Sequence, residues 1–281
     1  MTSLTISVVI LGAAIAVSFI YGLFTRNYST VDRLWSVLPA VYMLIWMPGF
    51  LGNPRYIIAF ILVLLWCIRL SVNFAVKGGY SFSFTKGFTG EDYRWEVLRG
   101  KITNRFLFEL FNFFFISGFQ LVLIFMFTLP MYYYGSIKGA VVPAEWILYA
   151  LHLLLLSCEL YSDVLQLRFY RRRKAEPWMS QRRYRLGFNT FGIWKYSRHP
   201  NYVCEMGQWV VIYFLLVAVS GGLHFSGIGA LVLVALFAGS TIFAESITAS
   251  KYKDYKAWRK LSSSWLPLKP VSSRKRREFL S

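Results

Sequence analysis

The sequence predicts an all-α polytopic membrane protein, and three observations lead to that prediction. Of the 281 residues, 56% are hydrophobic and 19% aromatic, whereas only 16% are charged, against about a quarter in ordinary soluble domains. Apolar stretches long enough to cross a bilayer as helix, which takes about 20 residues, recur along the whole chain. The 31 basic residues cluster between those stretches. Little of the chain is left to form a soluble domain.

About seven stretches qualify as transmembrane helices and together make a single membrane domain over residues 1–281. In chain order they lie at residues 4–24, 34–51, 56–76, 106–130, 144–168, 201–220 and 223–248. The first has no basic segment before it and no clear small-residue cleavage site, so we interpret it as a helix and not as a signal peptide.

The distribution of Lys and Arg predicts the orientation. Residues 25–33, 77–105, 168–198 and 250–281 carry 2, 6, 10 and 10 basic residues, and the connections on the other side carry one at most. Because basic loops stay in the cytosol, we expect the N-terminus outside and the C-terminus in the cytosol.

The two long cytosolic loops, 77–105 and 168–198, are rich in Tyr, Trp and Gly, so we expect both to be ordered. For the basic C-terminal tail, 259–281, we expect a disordered anchor on the membrane surface over residues 274–281.

The net charge of +18 restricts the class of partner. Such a basic face attracts anionic lipid headgroups and could also bind a cytosolic ligand that carries phosphate. No nucleic-acid-binding module is present in the sequence. The expected partners are therefore membrane lipids and a small lipid-like molecule, with no nucleic acid, and the sequence does not indicate an oligomeric state.

Polar residues inside the predicted spans are candidates for function because they are costly in lipid. Glu159, Asp163 and Gln166 stand at i, i+4 and i+7 and so share one helical face; hydrogen bonding between helices is the structural alternative. Arg69 lies deep in the third stretch and needs a partner. Asp32 stands just before the second stretch, where a helix N-cap is the simpler interpretation.

The run SRHPNYVCE at 197–205 marks the start of the sixth span. Pro200 has no N–H and is tolerated in a first helical turn, so we expect the helix to begin near Pro200. Its free N–H groups and positive dipole end favour an anion. Arg198, His199, Asn201, Tyr202 and Glu205 would surround that anion, with Arg198 as a bidentate phosphate donor.

Metal-dependent and soluble nucleotide-binding classes are not indicated. The three histidines, at 152, 199 and 224, are scattered and do not form a zinc or iron motif. The sequence contains no P-loop and no G-x-G-x-x-G after a strand. We therefore expect an organic cofactor, held by the helices themselves.

Several motifs resemble those of the steroid 5-alpha-reductase superfamily and of the sterol reductases that share Arg-His-Pro-Asn-Tyr. They are VDRLWSVLP (31–39), WCIRL (66–70), KGG (77–79), EDYRW (91–95), ELYSDVLQ (159–166), FGIWKYSRHPNYVCE (191–205) and AES with KYKDYKAW (244–258). The nearest resemblance is to 3-oxo-5-alpha-steroid 4-dehydrogenase-like proteins. It implies a seven-helix enzyme of the endoplasmic reticulum, or by a weaker analogy of a bacterial inner membrane, that reduces a conjugated C=C with NADPH.

The resemblance also implies roles for individual residues. Asp163 and Asn201, together with Tyr255, match cofactor-contacting positions. Further cofactor candidates on the matched motifs are Glu159, Gln166, Arg198, His199, Tyr202, Glu205, Arg94 and Tyr252.

Catalytic roles are implied for a different set of residues. Where the steroid enzymes hold the substrate carbonyl with Glu and Tyr, this chain has Asp32 as the nearest acid and Trp66 in place of the Tyr. Asp32, Arg69 and Trp66 are the catalytic candidates, and the substrate is expected to be a lipid-like enone of the steroid, sterol or isoprenoid class.

Two other functions remain open. Isoprenylcysteine and phospholipid methyltransferases also carry Arg-His-Pro-x-Tyr and bind S-adenosylmethionine; DRLWS, EDYRW and the seven spans favour reduction. A non-catalytic lipid-binding or scaffold protein is the third possibility.

Overall fold

A computed structural model describes residues 1–85, 87–175, 181–268 and 273–281. The predicted loops 77–105 and 168–198 and the predicted tail each include residues outside this range, namely Lys86, 176–180 and 269–272. The helices are α1 (Ser3–Thr25), α2 (Thr30–Trp35), α3 (Leu38–Trp46), α4 (Pro54–Val76), α5 (Tyr93–Lys101), α6 (Arg105–Phe111), α7 (Gln120–Thr128), α8 (Pro130–Ser136), α9 (Pro143–Arg173), α10 (Arg182–Arg185), α11 (Pro200–Ser220), α12 (Ile228–Lys251), α13 (Tyr255–Leu261) and α14 (Ser273–Leu280). A π-helical stretch, Asn112–Phe119, joins α6 to α7, and short 3-10 turns lie at Met47–Gly49, Gly192–Lys195 and Phe225–Gly227. Strands β1 (Phe82–Ser83) and β2 (Gly87–Phe88) pair antiparallel.

The all-α polytopic membrane fold is confirmed. Within the described residues, six helices are long and apolar enough to cross a membrane. They correspond to α1, α4, the continuous run from α6 to α8, α9, α11 and α12 with its preceding turn.

The remaining predicted span, residues 34–51, differs from the expectation. Its apolar part, Leu38–Gly49, forms a shorter helix, which at 1.5 Å per residue extends about 18 Å, whereas a bilayer core is about 30 Å thick. Pro39 lies in the first turn of α3. Because Pro39 has no N–H to donate to the carbonyl of Trp35, α2 ends there and cannot continue as one long helix.

The chain forms two compact units where the sequence predicts one domain. Unit 1 contains Met1–Leu151 and Val210–Leu233, and unit 2 contains His152–Trp209 and Val234–Ser281. The described parts of both long loops are ordered, as predicted: residues 77–105 include the hairpin and α5, and residues 168–198 include α10 and a 3-10 turn.

Unit 1 contains a fully buried polar cluster at the start of α9. The carboxylate of Glu145 pairs with Arg55 at 3.3 Å, and their side chains are 0% and 4% exposed. The hydroxyl of Tyr134 donates a hydrogen bond to the same carboxylate, and the N–H of Val142 donates another at 2.7 Å. Arg55 also donates to the carbonyl of Ile137 at 3.4 Å. The cluster therefore fixes the connection between α8 and α9.

In unit 2, the C-terminal helix α14 packs onto the protein. The ring of Phe279 stacks on Trp258 with centroids 5.6 Å apart, and Arg276 donates from Nε to the carbonyl of Leu261 at 2.8 Å. The prediction that residues 274–281 are disordered is therefore wrong, and their role as an anchor on the membrane surface stays a prediction. Only one face of the segment is basic and exposed, because Arg276, Phe279 and Leu280 share the opposite face.

Candidate functional site

The Arg-His-Pro-Asn-Tyr motif of unit 2 is held by a short parallel pairing with a segment close to the C-terminus. Ser197 and Ser263 form a parallel bridge. The N–H of Arg198 donates to the carbonyl of Ser263 at 2.9 Å, and the N–H of His199 donates to the carbonyl of Ser264 at 3.0 Å. Helix α11 begins directly after these residues, at Pro200, as the missing N–H of proline predicts.

Glu245 of α12 is the centre of a buried ionic cluster at the motif. Its Oε1 accepts from Arg198 Nε at 2.8 Å and from the Ser264 hydroxyl at 2.9 Å, and His199 Nε2 lies 3.2 Å from it. Its Oε2 pairs with Arg259 at 2.9 Å. The side chains of Arg198 and Glu245 are only 7% and 5% exposed. This carboxylate therefore holds the motif, α12 and the segment 259–264 together.

Arg198 also donates to backbone carbonyls, those of Ser262 and Arg259, the latter at 3.2 Å. These contacts give Arg198 a positioning role at the helix start. Its direct contact with a phosphate, expected from the sequence, stays a prediction.

The first turns of α11 carry the rest of the motif. The ring of His199 stacks on Tyr202 with centroids 5.0 Å apart, and Tyr202 packs edge-on against Phe237 at 4.9 Å. Glu205 is buried, at 6% exposure. Asn201 is different, since its Oδ1 is buried and has no hydrogen-bond partner within the described residues.

The predicted polar face of α9 lies in unit 2 and makes contacts between elements. Glu159 accepts a hydrogen bond from Gln208 of α11 at 2.7 Å, and Gln166 accepts one from Asn189 at 3.0 Å. Asp163 lies between them on the helix and is buried. Hydrogen bonding between helices, the structural alternative, is therefore present at two of the three positions.

Buried polar atoms with unused hydrogen-bonding capacity occur on the same elements. Besides Asn201 Oδ1, they are Ser162 Oγ on α9, Thr190 Oγ1 and Gln208 Oε1, and none of them has a partner in the part of the chain that the structure describes. Trp194 joins two of these elements, because its Nε1 donates to the carbonyl of Ser162 at 3.1 Å. A buried polar group without a partner costs about 1–3 kcal/mol, so each of these atoms is a candidate for contact with a ligand.

Tyr252 and Tyr255 belong to the packed interior of unit 2. Tyr255 packs with Leu186, Phe188 and Trp258 in a small apolar core, and its burial, reinforced by Glu245, raises its pKa. The ring of Tyr252 would lie 2.1 Å from a Cβ at Gly187, which has a φ of +86°, so only glycine fits there. Both tyrosines thus have a packing role, and their contact with a cofactor stays a prediction.

Unit 1 holds the catalytic candidates and Arg94. Trp66 and Arg69 both lie on α4 and are buried. Asp32 lies on α2 and accepts a hydrogen bond from Trp95 Nε1 at 2.8 Å. Arg94, at the start of α5, pairs with Asp92 at 2.8 Å, so its charge is already engaged within the protein.

Asp32 and Asp92 are neighbouring acids whose pKa values are shifted in opposite directions. Burial and the nearby charge of Asp92 raise the pKa of Asp32. Burial also acts to raise the pKa of Asp92, but the charge and hydrogen bonds of Arg94 outweigh it, so that this pKa is lowered. Of the two carboxyls, Asp32 therefore keeps its proton to the higher pH.

This arrangement predicts a pH dependence of stability. A carboxyl whose pKa is raised in the folded state holds more protons there than in the unfolded chain, so the free energy of unfolding falls as pH rises above about 3.9, the ordinary value for Asp. Asp32→Asn keeps an acceptor for Trp95 and cannot ionise. We expect the melting temperature of Asp32→Asn, relative to that of the wild type, to increase as pH rises from 4 to 8. Parallel pH profiles of the two proteins would contradict this interpretation. Asp92→Asn removes the charge that raises the pKa of Asp32, so in that background the effect of Asp32→Asn should be smaller.

Sequence reasoning did not identify the contacts that complete the site. Glu245 stands out as a charged residue in an apolar helix, but nothing in the sequence connects it with Arg198. Gln208 lies one helical turn after Cys204 and faces α9. A helical-wheel plot of the span could have identified it as a polar residue. No sequence signal indicates Asn189 or Ser264, because their contacts depend on the tertiary fold.

A metal centre is not found in the described ranges, where no three His, Cys, Asp or Glu side chains are grouped so as to hold an ion. The hydrogen-bonded side chains of this part of unit 2 are amides, hydroxyls and the carboxylates of Glu159 and Glu245, which can bind the polar groups of an organic ligand.

Fold and site together define a polytopic helical membrane protein with a buried ionic and amide cluster at a helix start. The chain belongs to the family described as "Protein of unknown function (DUF1295)", whose profile matches residues 18–264. It is similar to an uncharacterized protein of Schizosaccharomyces pombe, C594.04c, with 31% identity over 261 residues, which covers 86% of this chain and 73% of that protein. No solved structure matches the chain.

Proposed function

We propose that the chain is a membrane reductase that uses NADPH to reduce a conjugated C=C in a lipid-like enone. The observation that carries the proposal is Asn201, whose buried Oδ1 has no partner among the described residues although it lies in the first turn of a helix whose preceding residues are rigidly fixed. A dinucleotide offers the donors that this oxygen lacks, in its carboxamide and its ribose hydroxyls.

The residues of unit 2 fit such a cofactor. Asn201 and Tyr202 at the start of α11, with Ser162 and Thr190, would hold its amide and hydroxyl groups. When bound, NADPH would supply a hydride to the carbon–carbon double bond. Glu245 holds Arg198 and His199, so the helix start is already in place before a ligand arrives, which lowers the cost of binding.

Reduction of an enone also needs a proton donor for the enolate. Asp32 supports this role, because burial and Asp92 favour its protonated form. Trp95 orients the carboxyl through its hydrogen bond. On the basis of the resemblance of its motifs to those of the steroid 5-alpha-reductase superfamily, we propose that the protein lies in the membrane of the endoplasmic reticulum.

Ligand-induced stabilisation of the detergent-purified protein tests the proposal. A ligand at about 100 times its dissociation constant adds ~2.7 kcal/mol to stability, so NADPH should raise the melting temperature by several degrees. Asn201→Ala should weaken NADPH about tenfold, the value of one lost hydrogen bond. Asn73→Ala on α4, a matched change in unit 1, should leave NADPH binding as in the wild type.

Other ligands decide between the alternatives. Stabilisation by S-adenosylmethionine and not by NADPH would overturn the proposal in favour of a methyltransferase. A melting temperature that responds to neither ligand would overturn it in favour of a lipid-binding or scaffold protein. Where NADPH binds, its oxidation with a panel of enones identifies the substrate.

A further inference from the structure

A short apolar segment of unit 2 follows the serines that pair with the motif. Directly after Ser264 the chain reads WLPL, residues 265–268, which we call the apolar turn. Trp265 is half-buried, whereas Leu266 and Leu268 are 53% and 81% exposed. Contact of these side chains with an apolar medium would be favourable.

The apolar turn runs along α12, away from the end of that helix. The hydroxyl of Ser264 bonds to Glu245 at 2.9 Å, and Trp265 Nε1 donates to the hydroxyl of Thr241 at 3.0 Å. Thr241 lies one helical turn before Glu245, and it precedes the last residue of α12, Lys251, by about 15 Å along the helix axis. The chain therefore turns back towards the middle of a helix that is long and apolar enough to cross a membrane.

The exposed face of α12 marks the boundary between lipid and water. Gly239 and Ile242 are exposed and apolar, Ile242 at 73%. One turn later the same face carries Ser246, followed by Ser250 and Lys251, which are exposed and polar. Because lipid favours apolar side chains and water favours polar ones, the boundary lies between Ile242 and Ser246. The apolar turn thus meets α12 on the lipid side of this boundary.

The polar groups of the apolar turn are suited to such a position. The indole N–H of Trp265 is bonded to Thr241, Pro267 has no N–H, and the N–H of Leu268 donates to the carbonyl of Leu266 at 2.8 Å. Donors without a partner are costly in lipid, and these contacts lower that cost. Tryptophan is also enriched where lipid and water meet, because its ring is apolar and its N–H can be bonded.

The charge around the apolar turn favours lipid over a protein as the partner. Residues 250–281 carry 10 basic residues and only two acidic ones, Asp254 and Glu278. Lys256, Arg259 and Lys260 of α13 are exposed and can bind anionic headgroups. Apolar side chains flanked by Lys and Arg are typical of segments that lie in a membrane interface.

We propose that the apolar turn inserts into the membrane interface, with Leu266 and Leu268 among the acyl chains and Trp265 at their boundary with the headgroups. The surface continues the lipid-facing side of α12, and the basic residues of α13 bind the headgroups beside it. The inference does not depend on the enzymatic activity proposed above.

The test measures the depth of a nitroxide spin label on the apolar turn. Leu268→Cys is labelled in a background that carries Cys158→Ala, because Cys158 is exposed whereas Cys67 and Cys204 are buried. The protein is placed in nanodiscs of phosphatidylcholine and phosphatidylglycerol. Power saturation of the electron paramagnetic resonance signal then compares collisions with oxygen, which is enriched in lipid, and with a water-soluble nickel chelate.

Two positions on the exposed face of α12 calibrate the depth. Ile242→Cys gives the signal of a label in lipid, and Ser250→Cys gives that of a label beyond the boundary. We expect the label at Leu268→Cys to collide more with oxygen than with nickel, as at Ile242→Cys. A preference for nickel, as at Ser250→Cys, would place the turn in water and overturn the inference. Protection from both reagents would overturn it in favour of contact with another protein.

A pair of double variants provides a second measurement. Leu266→Ser/Leu268→Ser should lower the melting temperature in the same nanodiscs by several degrees, and the apolar variant Leu266→Met/Leu268→Met should melt close to the wild type. Both leucines are exposed, so serine would cost little stability if they were surrounded by water. A serine variant that melts as high as the methionine variant would therefore contradict insertion.

Discussion

Glu245→Ala is expected to cause one of the two largest losses of stability in this protein. The substitution removes the carboxylate that accepts from Arg198 and Ser264 and pairs with His199 and Arg259. Arg198, whose side chain is 7% exposed, would keep its charge in a buried place without a carboxylate. Breaking one side of a buried pair costs about 3–5 kcal/mol, which corresponds to a fall in melting temperature of roughly 10 °C at this chain length.

Two control variants test whether the loss of stability comes from the buried ionic cluster. Glu278→Ala removes a carboxylate from the exposed Arg274–Glu278 pair, whose side chains are 84% and 59% exposed, and such pairs contribute little. Glu245→Gln preserves the size and one acceptor, so it should fall between the wild type and Glu245→Ala. If Glu245→Ala melts as high as Glu278→Ala, the ionic cluster does not stabilise the motif.

Glu145→Ala is the second large effect, and it lies in unit 1. Glu145 is fully buried beside Arg55 and also accepts from Tyr134 and from the N–H of Val142. We expect a loss of about 3–5 kcal/mol, because the charge of Arg55 loses its counter-ion and the N–H of Val142 loses its acceptor, while Tyr134 keeps only Tyr149 as a partner. Thermal unfolding in detergent at a fixed scan rate would measure it.

The double variant Arg55→Met/Glu145→Met separates the buried charge from the packing. It removes both charges and keeps side chains of similar volume, so it should be more stable than Glu145→Ala alone. Glu145→Ala should also retain the shift in melting temperature on adding NADPH, since the cofactor candidates other than Arg94 lie in unit 2. Loss of that shift would contradict the assignment of Glu145 to a structural cluster.

Local patterns in the sequence were sufficient for several elements. Apolar length predicts α1, α4, α9, α11 and α12, because a bilayer requires it. The start of α11 follows from a single property of Pro200, its missing N–H.

Other elements could not be predicted because they depend on a single interruption or on a minority of residues. Residues 34–51 contain enough apolar residues for a span, yet Pro39 divides them. The tail has the composition of a disordered segment, yet Phe279 and Leu280 share one helical face with Arg276 and dock on Trp258. An apolar face of only two residues is not visible in the average composition of the segment.

The candidate site, too, could be predicted from the sequence only in part. The spacing of Glu159, Asp163 and Gln166 correctly predicts a shared polar face on α9. The partner of Arg198 could not be predicted, because Glu245 lies 47 residues away in the chain and the pairing of a charge across that distance is decided by tertiary packing.

The pairing of the motif with residues 259–264 has a consequence for the synthesis of the protein. Arg198 and Ser262, which are hydrogen-bonded, are 64 residues apart in the chain, and ribosomes add about 5–20 residues per second. For several seconds after Arg198 is made, its guanidinium therefore has neither Glu245 nor the serine carbonyls to bind. During that interval the newly made helix start must be kept in water or held by the insertion machinery, and the motif closes only after residues 259–264 have been made.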